Sequence, residues 1–267
     1  MIRRAILIAA GRGKRLGPHT EEIPKCMVEV AGTPILGWVW QALSRVGVEE
    51  LVVIRGYKGD VLESFVRDLV PKPIFVDNRE WETNNVLLSL GMARAYLDQP
   101  AYVTYSDIVF TPAVAEAAAA STADIGLVID REFRSIYVGR DQHPLEEGEV
   151  ADLEADGRVR RVGKKALPVP EAVGEFIGLS RIGAHGMATV AAAFDELAAR
   201  YAGRDHDPFQ RAARYRNAYL TDLWQELIDR GVRLDPILID GQWREIDTGQ
   251  DLERARQLLE SRPKEWT

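Results

Sequence analysis

The sequence predicts a doubly wound, mostly parallel α/β fold, on three observations. Short apolar runs alternate with amphipathic helical stretches through roughly the first 110 residues. The first of those runs ends in a glycine-rich loop, as a buried parallel strand does when it reaches a ligand-bearing rim. No Gly/Ser/Pro-rich linker divides the 267 residues, so a single domain is expected over 1–267, its two halves meeting near residue 110.

The elements follow in order. Arg4 to Ala10 is an apolar run that stops at Gly11 and reads as the first strand. From Thr33 to Val46, Ile35, Leu36, Val39, Ala42, Leu43 and Val46 share one helical face, closed by Gly47. Leu51–Ile54, Ile74–Val76 and Ala101–Tyr105 are further strands, with helices expected over Asp60–Leu69 and Asn84–Leu97 between them. Crossovers of this kind build a parallel sheet. After a strand over Ala123–Ile129 the pattern changes. Val150–Glu154 and Val159–Val162 flank Asp156-Gly157, a two-residue hairpin signal. Gly174–Ile182 and Leu234–Ile239 read as strands, and Met187–Tyr201, Tyr219–Asp229 and Asp251–Glu260 as helices. A β-hairpin insertion and C-terminal helices therefore decorate the sheet.

Composition excludes several classes. The chain carries 34 basic and 41 acidic residues, a net charge of −7, which argues against a general nucleic-acid binder. Hydrophobic residues make up 46% and charged residues 28%, the balance of a globular chain. Cys26 is the single cysteine, so there is neither an internal disulfide nor a Cys/His zinc spacing. No apolar run reaches membrane-span length and no signal peptide precedes Gly11, so a cytoplasmic protein without a membrane segment is expected. The face carrying Trp38, Trp40 and Leu43 reads either as core or as a surface for self-pairing into a homodimer.

The first loop reads Ala9-Ala10-Gly11-Arg12-Gly13-Lys14-Arg15-Leu16-Gly17-Pro18-His19-Thr20, then Pro24-Lys25. Its glycines let backbone N–H groups approach an anion, and Lys14, Arg15 and Lys25 supply charge. It is neither a dinucleotide fingerprint, which needs glycine where Leu16 stands, nor a P-loop, which needs Ser or Thr where Arg15 stands. Taken alone, the glycine pair also fits an ordinary strand-to-helix turn.

The longer string does more. Ile6-Leu7-Ile8-Ala9-Ala10-Gly11-x-Gly13-x-Arg15-Leu16-x-Pro18-x-Thr20, Pro24-Lys25 and Val28-x-Val30-x-Gly32-x-Pro34-Ile35-Leu36 resemble the signature of the nucleotidyltransferases that make sugar-nucleotides. Ile54-x-Gly56-Tyr57, Tyr105-Ser106-Asp107-Ile108 and Trp243-Arg244-Glu245-Ile246-Asp247-Thr248 continue the resemblance. Asp77-Asn78 followed by Asn84-Asn85-x-x-x-Ser89-Leu90 resembles the phosphocholine cytidylyltransferase branch. Ile136-Tyr137-x-Gly139-Arg140-x-x-His143-Pro144-x-x-Glu147, with Gly163-Lys164, resembles the 2-aminoethylphosphonate cytidylyltransferases of phosphonate pathways.

The resemblance implies a nucleotidyltransferase fold and transfer of CMP from CTP to a small phosphate or phosphonate, with release of pyrophosphate. The half near 1–110 would then bind nucleotide and the half near 111–267 the acceptor. Gly11, Gly13 and the catalytic Arg15 would hold the leaving phosphates, and Lys25 would lie between acceptor and α-phosphate. Asp107 and Asp247 would hold Mg2+. Ala9, Ala10, Gly56, Tyr57, Asn84 and Asn85 are candidates for the cytosine and ribose, since an amide both donates and accepts. For the acceptor, aromatic and acidic residues fit an ammonium group: Trp81, Tyr137, Trp224 and Trp243 with Glu175, Asp222 and Glu245. Arg140, His143 and Lys164 fit an anionic group instead.

Bland readings stand beside these. Asp107 and Asp247 also read as helix caps, as does one of Asn84 and Asn85, and the aromatics as core. Two other functions fit the string: a sugar- or inositol-phosphate nucleotidyltransferase using UTP, dTTP or CTP, and a non-catalytic nucleotide-binding regulatory protein. A Gly-Thr-Ala-type segment, usual in the sugar enzymes, is absent where Asn84-Asn85 stand.

Overall fold

The computed structural model describes residues Met1–Thr267. Its strands are β1 (Arg4–Ala9), β2 (Glu29–Val30), β3 (Thr33–Pro34), β4 (Glu50–Arg55), β5 (Pro73–Asp77), β6 (Ala101–Tyr105), β7 (Ile108–Phe110), β8 (Ile125–Asp130), β9 (Glu149–Leu153), β10 (Val159–Lys164), β11 (Gly174–Ile182), β12 (Asp235–Ile239) and β13 (Trp243–Glu245). The helices are α1 (Ile35–Arg45), α2 (Gly59–Leu69), α3 (Val86–Met92), α4 (Pro112–Ala120), α5 (Phe133–Tyr137), α6 (Ala184–Arg200), α7 (Leu220–Asp229), α8 (Gly249–Ser261) and α9 (Pro263–Trp266).

The main sheet runs β10-β9-β11-β6-β1-β4-β5, with β8 on β11 and β12 on β8. Its central strands β5, β4, β1 and β6 are all parallel, as the strand–helix alternation requires. Every residue of β1 is buried, because helices cover both faces. Ala5, Leu7 and Ala9 point into one core with Leu36, Val39 and Leu43 of α1 and Val66 of α2. Ile6 and Ile8 point into the other, with Leu87 and Leu90 of α3, Phe194 of α6 and Trp224 of α7. Each such aliphatic side chain removed from water stabilises the fold by roughly 1.5–3 kcal/mol. Trp38, Trp40 and Leu43 are buried, which settles their face as core.

Antiparallel pairing enters through β11, which lies against β6, β8 and β9. At Gly178 of β11 φ is +87°, and a Cβ there would drive into the Tyr105 ring. The register with β8 slips between Phe176 and Ser180 at the same place. The glycine thus lets Tyr105 lie across the strand, where its hydroxyl donates to Glu149 at 3.0 Å.

Three expectations are corrected. β9 and β10 do form a hairpin, but five residues connect them and Glu154 N–H donates to Arg158 O at 2.8 Å to close the loop, with Gly157 at φ +84°. The helix expected over Asn84–Leu97 is shorter, ending at Met92 before a separate 3₁₀ turn over Arg94–Tyr96. Asp247, expected like Asp107 to follow a strand at one rim of the main sheet, does not. It follows β13, which pairs antiparallel with β7 as Trp243↔Phe110, Arg244↔Val109 and Glu245↔Ile108. Ile246 N–H then donates to Asp107 O at 2.8 Å, so this small ladder brings the two aspartates together. No helix is long and apolar enough to cross a membrane.

Candidate active site

A cleft of about 310 Å3 opens where β1 and β6 end, lined by 25 residues. Its floor at one end is the loop after β1. Gly13 takes φ +71°, and a Cβ there would come within 2.8 Å of the Lys25 stem. Glycine at this position is what allows the Lys25 chain to lie against the loop. Thr20 Oγ1 donates to Gly13 O at 3.2 Å and tethers the segment. Gly11, Gly13, Arg15 and Lys25 all line the cleft.

Lys25, 7% exposed, is the centre of an ion cluster. Its Nζ donates to Asp107 Oδ2 at 2.9 Å and to Asp247 Oδ1. Burial opposes the ammonium, yet the two carboxylates outweigh it and hold Lys25 above the ordinary lysine range. Asp247 also takes Arg15 Nη2 at 2.6 Å and lies 3.1 Å from His143 Nδ1. Burial would raise its carboxyl, but Lys25, His143 and Arg15 hold it well below the usual range. Asp107 keeps one buried oxygen, Oδ1, without a hydrogen-bond partner. Cys26 beside Lys25 is inert, its thiol pushed up to about 12 by burial.

Arg140 is not a free acceptor-binding cation. Its side chain is 2% exposed, its Nε donates to Asp251 Oδ1 at 2.6 Å and its Nη2 to Glu245 Oε2 at 2.8 Å. Its guanidinium also lies 4.9 Å from the centre of the Tyr137 ring and 3.2 Å from His143 Nδ1. Ligand-type atoms of His143, Glu245 and Asp247 lie within 4.8 Å of one another. Arg140 and Arg15 (3.4 Å from His143 Nδ1) already bring positive charge to that corner.

Neutral groups build the other end. Asn84 and Asn85 line the cleft with Ala10 and Trp81. Asn85 stands at the N-cap of α3, but its side chain donates to Asn217 O at 3.0 Å rather than capping the helix. Asn84 pairs with Asn78. Gly56 and Tyr57 lie behind this wall: a Cβ on Gly56 would meet Ala10 O and Trp81, and the Tyr57 ring packs edge-on at 5.5 Å from Trp81. Ala9 is buried in β1, outside the lining.

A third wall carries buried acids. Glu149 accepts from Tyr105 and from Thr221, each at 3.0 Å, and burial raises it to about 7. Glu175 accepts from Tyr137 at 2.7 Å and is raised to about 8, by burial first and then by Glu245. Lys164 lies over the Tyr219 ring at 4.6 Å and reaches Glu147 at 3.5 Å. Tyr137 and His143 stand behind Glu175 and Asp247 rather than in the lining.

Two acceptor candidates lie elsewhere. Trp224 is fully buried in the core of α7. Asp222 completes the capping box of that helix, accepting from Tyr219 N–H at 2.8 Å. Glu149, Ser89 and Tyr219 also line the cleft; of the three only Ser89 belongs to a motif, Asn84-Asn85-x-x-x-Ser89-Leu90.

Residues 5–169 match the family described as the MobA-like NTP transferase domain. The CTP:phosphoglutamine cytidylyltransferase of Campylobacter jejuni is 29% identical over 255 residues, covering 93% of this chain and 97% of the relative. The 2-aminoethylphosphonate cytidylyltransferase of Lancefieldella rimae is 31% identical over 161 residues, 60% of either chain. The fold is shared with CTP:phosphocholine cytidylyltransferase from Streptococcus pneumoniae, with a TM-score of 0.71 at 19% identity over 97% of this chain and 100% of that one.

Proposed function

The chain belongs to the MobA-like NTP transferase domain family, and within it we propose a Mg2+-dependent cytoplasmic cytidylyltransferase that moves CMP from CTP to a small phosphonate or phosphate monoester. The observation that carries this reading is Lys25, held at the glycine loop between Asp107 and Asp247. Cytidylyltransferase relatives support CTP as the donor.

An acceptor oxygen attacks the α-phosphorus in line. The bond from α-phosphorus to its bridging oxygen breaks, and pyrophosphate leaves with the electron pair. A phosphate or phosphonate dianion is already a nucleophile, so the protein supplies position and charge. Lys25 is the cation for the α-phosphate and the incoming oxyanion. Gly11 and Gly13 N–H groups and Arg15, whose guanidinium is half-exposed, take the departing phosphates. Asn84 and Asn85 face the base, and Glu149, Glu175 and Lys164 face the acceptor.

Asp107 and Asp247 fit a divalent cation: both are hard oxygen donors, and Asp107 Oδ1 is buried with nothing to bond. Such a cation, when bound, neutralises phosphate charge. In its absence Lys25 pairs with both carboxylates and Arg15 with Asp247.

The test is pyrophosphate release with Mg2+, crossing CTP, UTP, ATP, GTP and dTTP against phosphocholine, 2-aminoethylphosphonate, other phosphonates, amino-acid phosphates, inositol phosphate and glucose 1-phosphate. Turnover with CTP and an amine-bearing phosphate or phosphonate is the expected result. Turnover confined to UTP or dTTP with a sugar phosphate would overturn it.

A further inference from the structure

We propose that Asn78 sets the choice between cytosine and uracil by locking the Asn84 amide in one orientation. The proposal rests on the reading of the Asn84 end as the base site. Asn78 is 1% exposed, and every hydrogen-bonding capacity it has is used inside the protein. Its Nδ2 donates to Asn84 Oδ1 and to Ser89 Oγ, both at 2.8 Å. Its Oδ1 accepts from Asn84 Nδ2 at 3.0 Å and from the Glu80 backbone at 3.1 Å. Two donors and two lone pairs are thereby spent, so Asn78 has nothing left for a ligand.

The lock has a fixed sense. A backbone N–H can only donate, so the Asn78 atom facing Glu80 is its oxygen. The reciprocal pair then dictates which end of the Asn84 amide is nitrogen. Asn84 lines the cleft with one N–H and one lone pair unspent at opposite ends of its amide, pointing apart, so only one of them can meet a base edge, and their order, which sets which one, cannot be reversed without breaking both bonds to Asn78.

That order matters because the two pyrimidines are complementary in the opposite sense. Cytosine presents an N4 donor beside an N3 acceptor, and uracil an O4 acceptor beside an N3–H donor. An amide free to flip reads both. A locked amide reads one, and the wrong base leaves a polar group facing its like. Asn78 is therefore a positioning residue for specificity, acting through Asn84.

The experiment is calorimetric binding of CTP and UTP with Mg2+ to the wild type, Asn78→Asp and Asn78→Ser, with a thermal melt of each. The wild type should bind CTP at least tenfold more tightly than UTP. In the folded variants the ratio of the two Kd values should fall fivefold or more, because UTP binding improves relative to CTP. A merely structural role weakens both nucleotides alike and keeps the ratio, so a ratio within fivefold of wild type in both variants overturns the proposal. A wild type with no preference for CTP would instead sink the cytidylyltransferase reading itself. If the variants do not fold, side-chain amide NMR on the wild type decides. Both Asn78 amide protons should stay protected with and without CTP while an Asn84 proton shifts on CTP addition, and exchange-labile Asn78 protons would contradict the lock.

Discussion

At the Lys25 end of the cleft, Arg15, Lys25 and Arg140 face Asp107, Glu245 and Asp247 across 2.6–2.9 Å where the pairs are most regular. At the Asn84 end, two amides and a hydroxyl hold one another and no charge takes part. The ion pairs can exchange partners when phosphates or a cation arrive, because each member has an equal claim on a ligand of the opposite charge. The amide network cannot, since Asn78 at its centre has no hydrogen-bonding capacity left with which to change partners. On the function proposed here, one end answers the ligand and the other measures it.

The largest expected effect falls on Arg140, which braces the charged end from behind. Arg140→Met leaves Asp251 and Glu245 without their buried cation and should cost about 3–5 kcal/mol in urea unfolding. A loss below 1 kcal/mol would mean that the brace is solvent-relaxed. Asp247→Asn comes next. It removes a partner of Lys25, Arg15 and His143, and turnover should fall about 10^2–10^3-fold, the scale of losing one preorganised charge. If Asn78→Asp lowered turnover with CTP as far as Asp247→Asn does, the contrast between the two ends would be broken. Gly13→Ala should lower turnover about tenfold, since φ +71° costs a side chain roughly 1–2 kcal/mol and the new Cβ displaces the Lys25 stem.

The smallest effect is on pH dependence. Glu175 titrates near 8 in the fold against about 4.5 when exposed, so the native state holds its proton more tightly. Its contribution is complete below pH 4.5 and is lost as pH rises to about 8. Glu149, near 7, acts in the same direction. Melting temperatures of Glu175→Gln should therefore decline less between pH 5 and 8 than those of the wild type. Parallel curves would remove burial of a protonated Glu175 from the account.

How much of this the sequence revealed depended on distance along the chain. The glycine loop and Asp107 were legible because each sits directly after a strand whose apolar run can be counted. Asp247 was legible only through its motif, because β13 finds its partner in β7 and no local pattern announces that pairing. Arg140 looked like a free cation since its carboxylates lie 105 and 111 residues away. Trp224 shares the apolar face of α7 with Leu220, Leu223 and Leu227, and a helical apolar stripe is the same in a core and in a ligand cage. Asp222, three residues after the N-cap, is an acid in the first helical turn, where a carboxylate takes a free N–H of the helix start. Glu149 had no signal at all: it is a strand residue turned inward by Tyr105 and Thr221.

The most direct test of the charged end as the reacting end is 31P NMR of CTP, Mg2+ and 2-aminoethylphosphonate or phosphocholine with the wild type and with Lys25→Ala, alongside calorimetric CTP binding to both. The wild type should convert CTP to pyrophosphate and a CMP-linked product, while Lys25→Ala binds CTP within about tenfold of wild type and forms the product at least a hundredfold more slowly. Product formation by Lys25→Ala within tenfold of the wild type would contradict the central place given to Lys25.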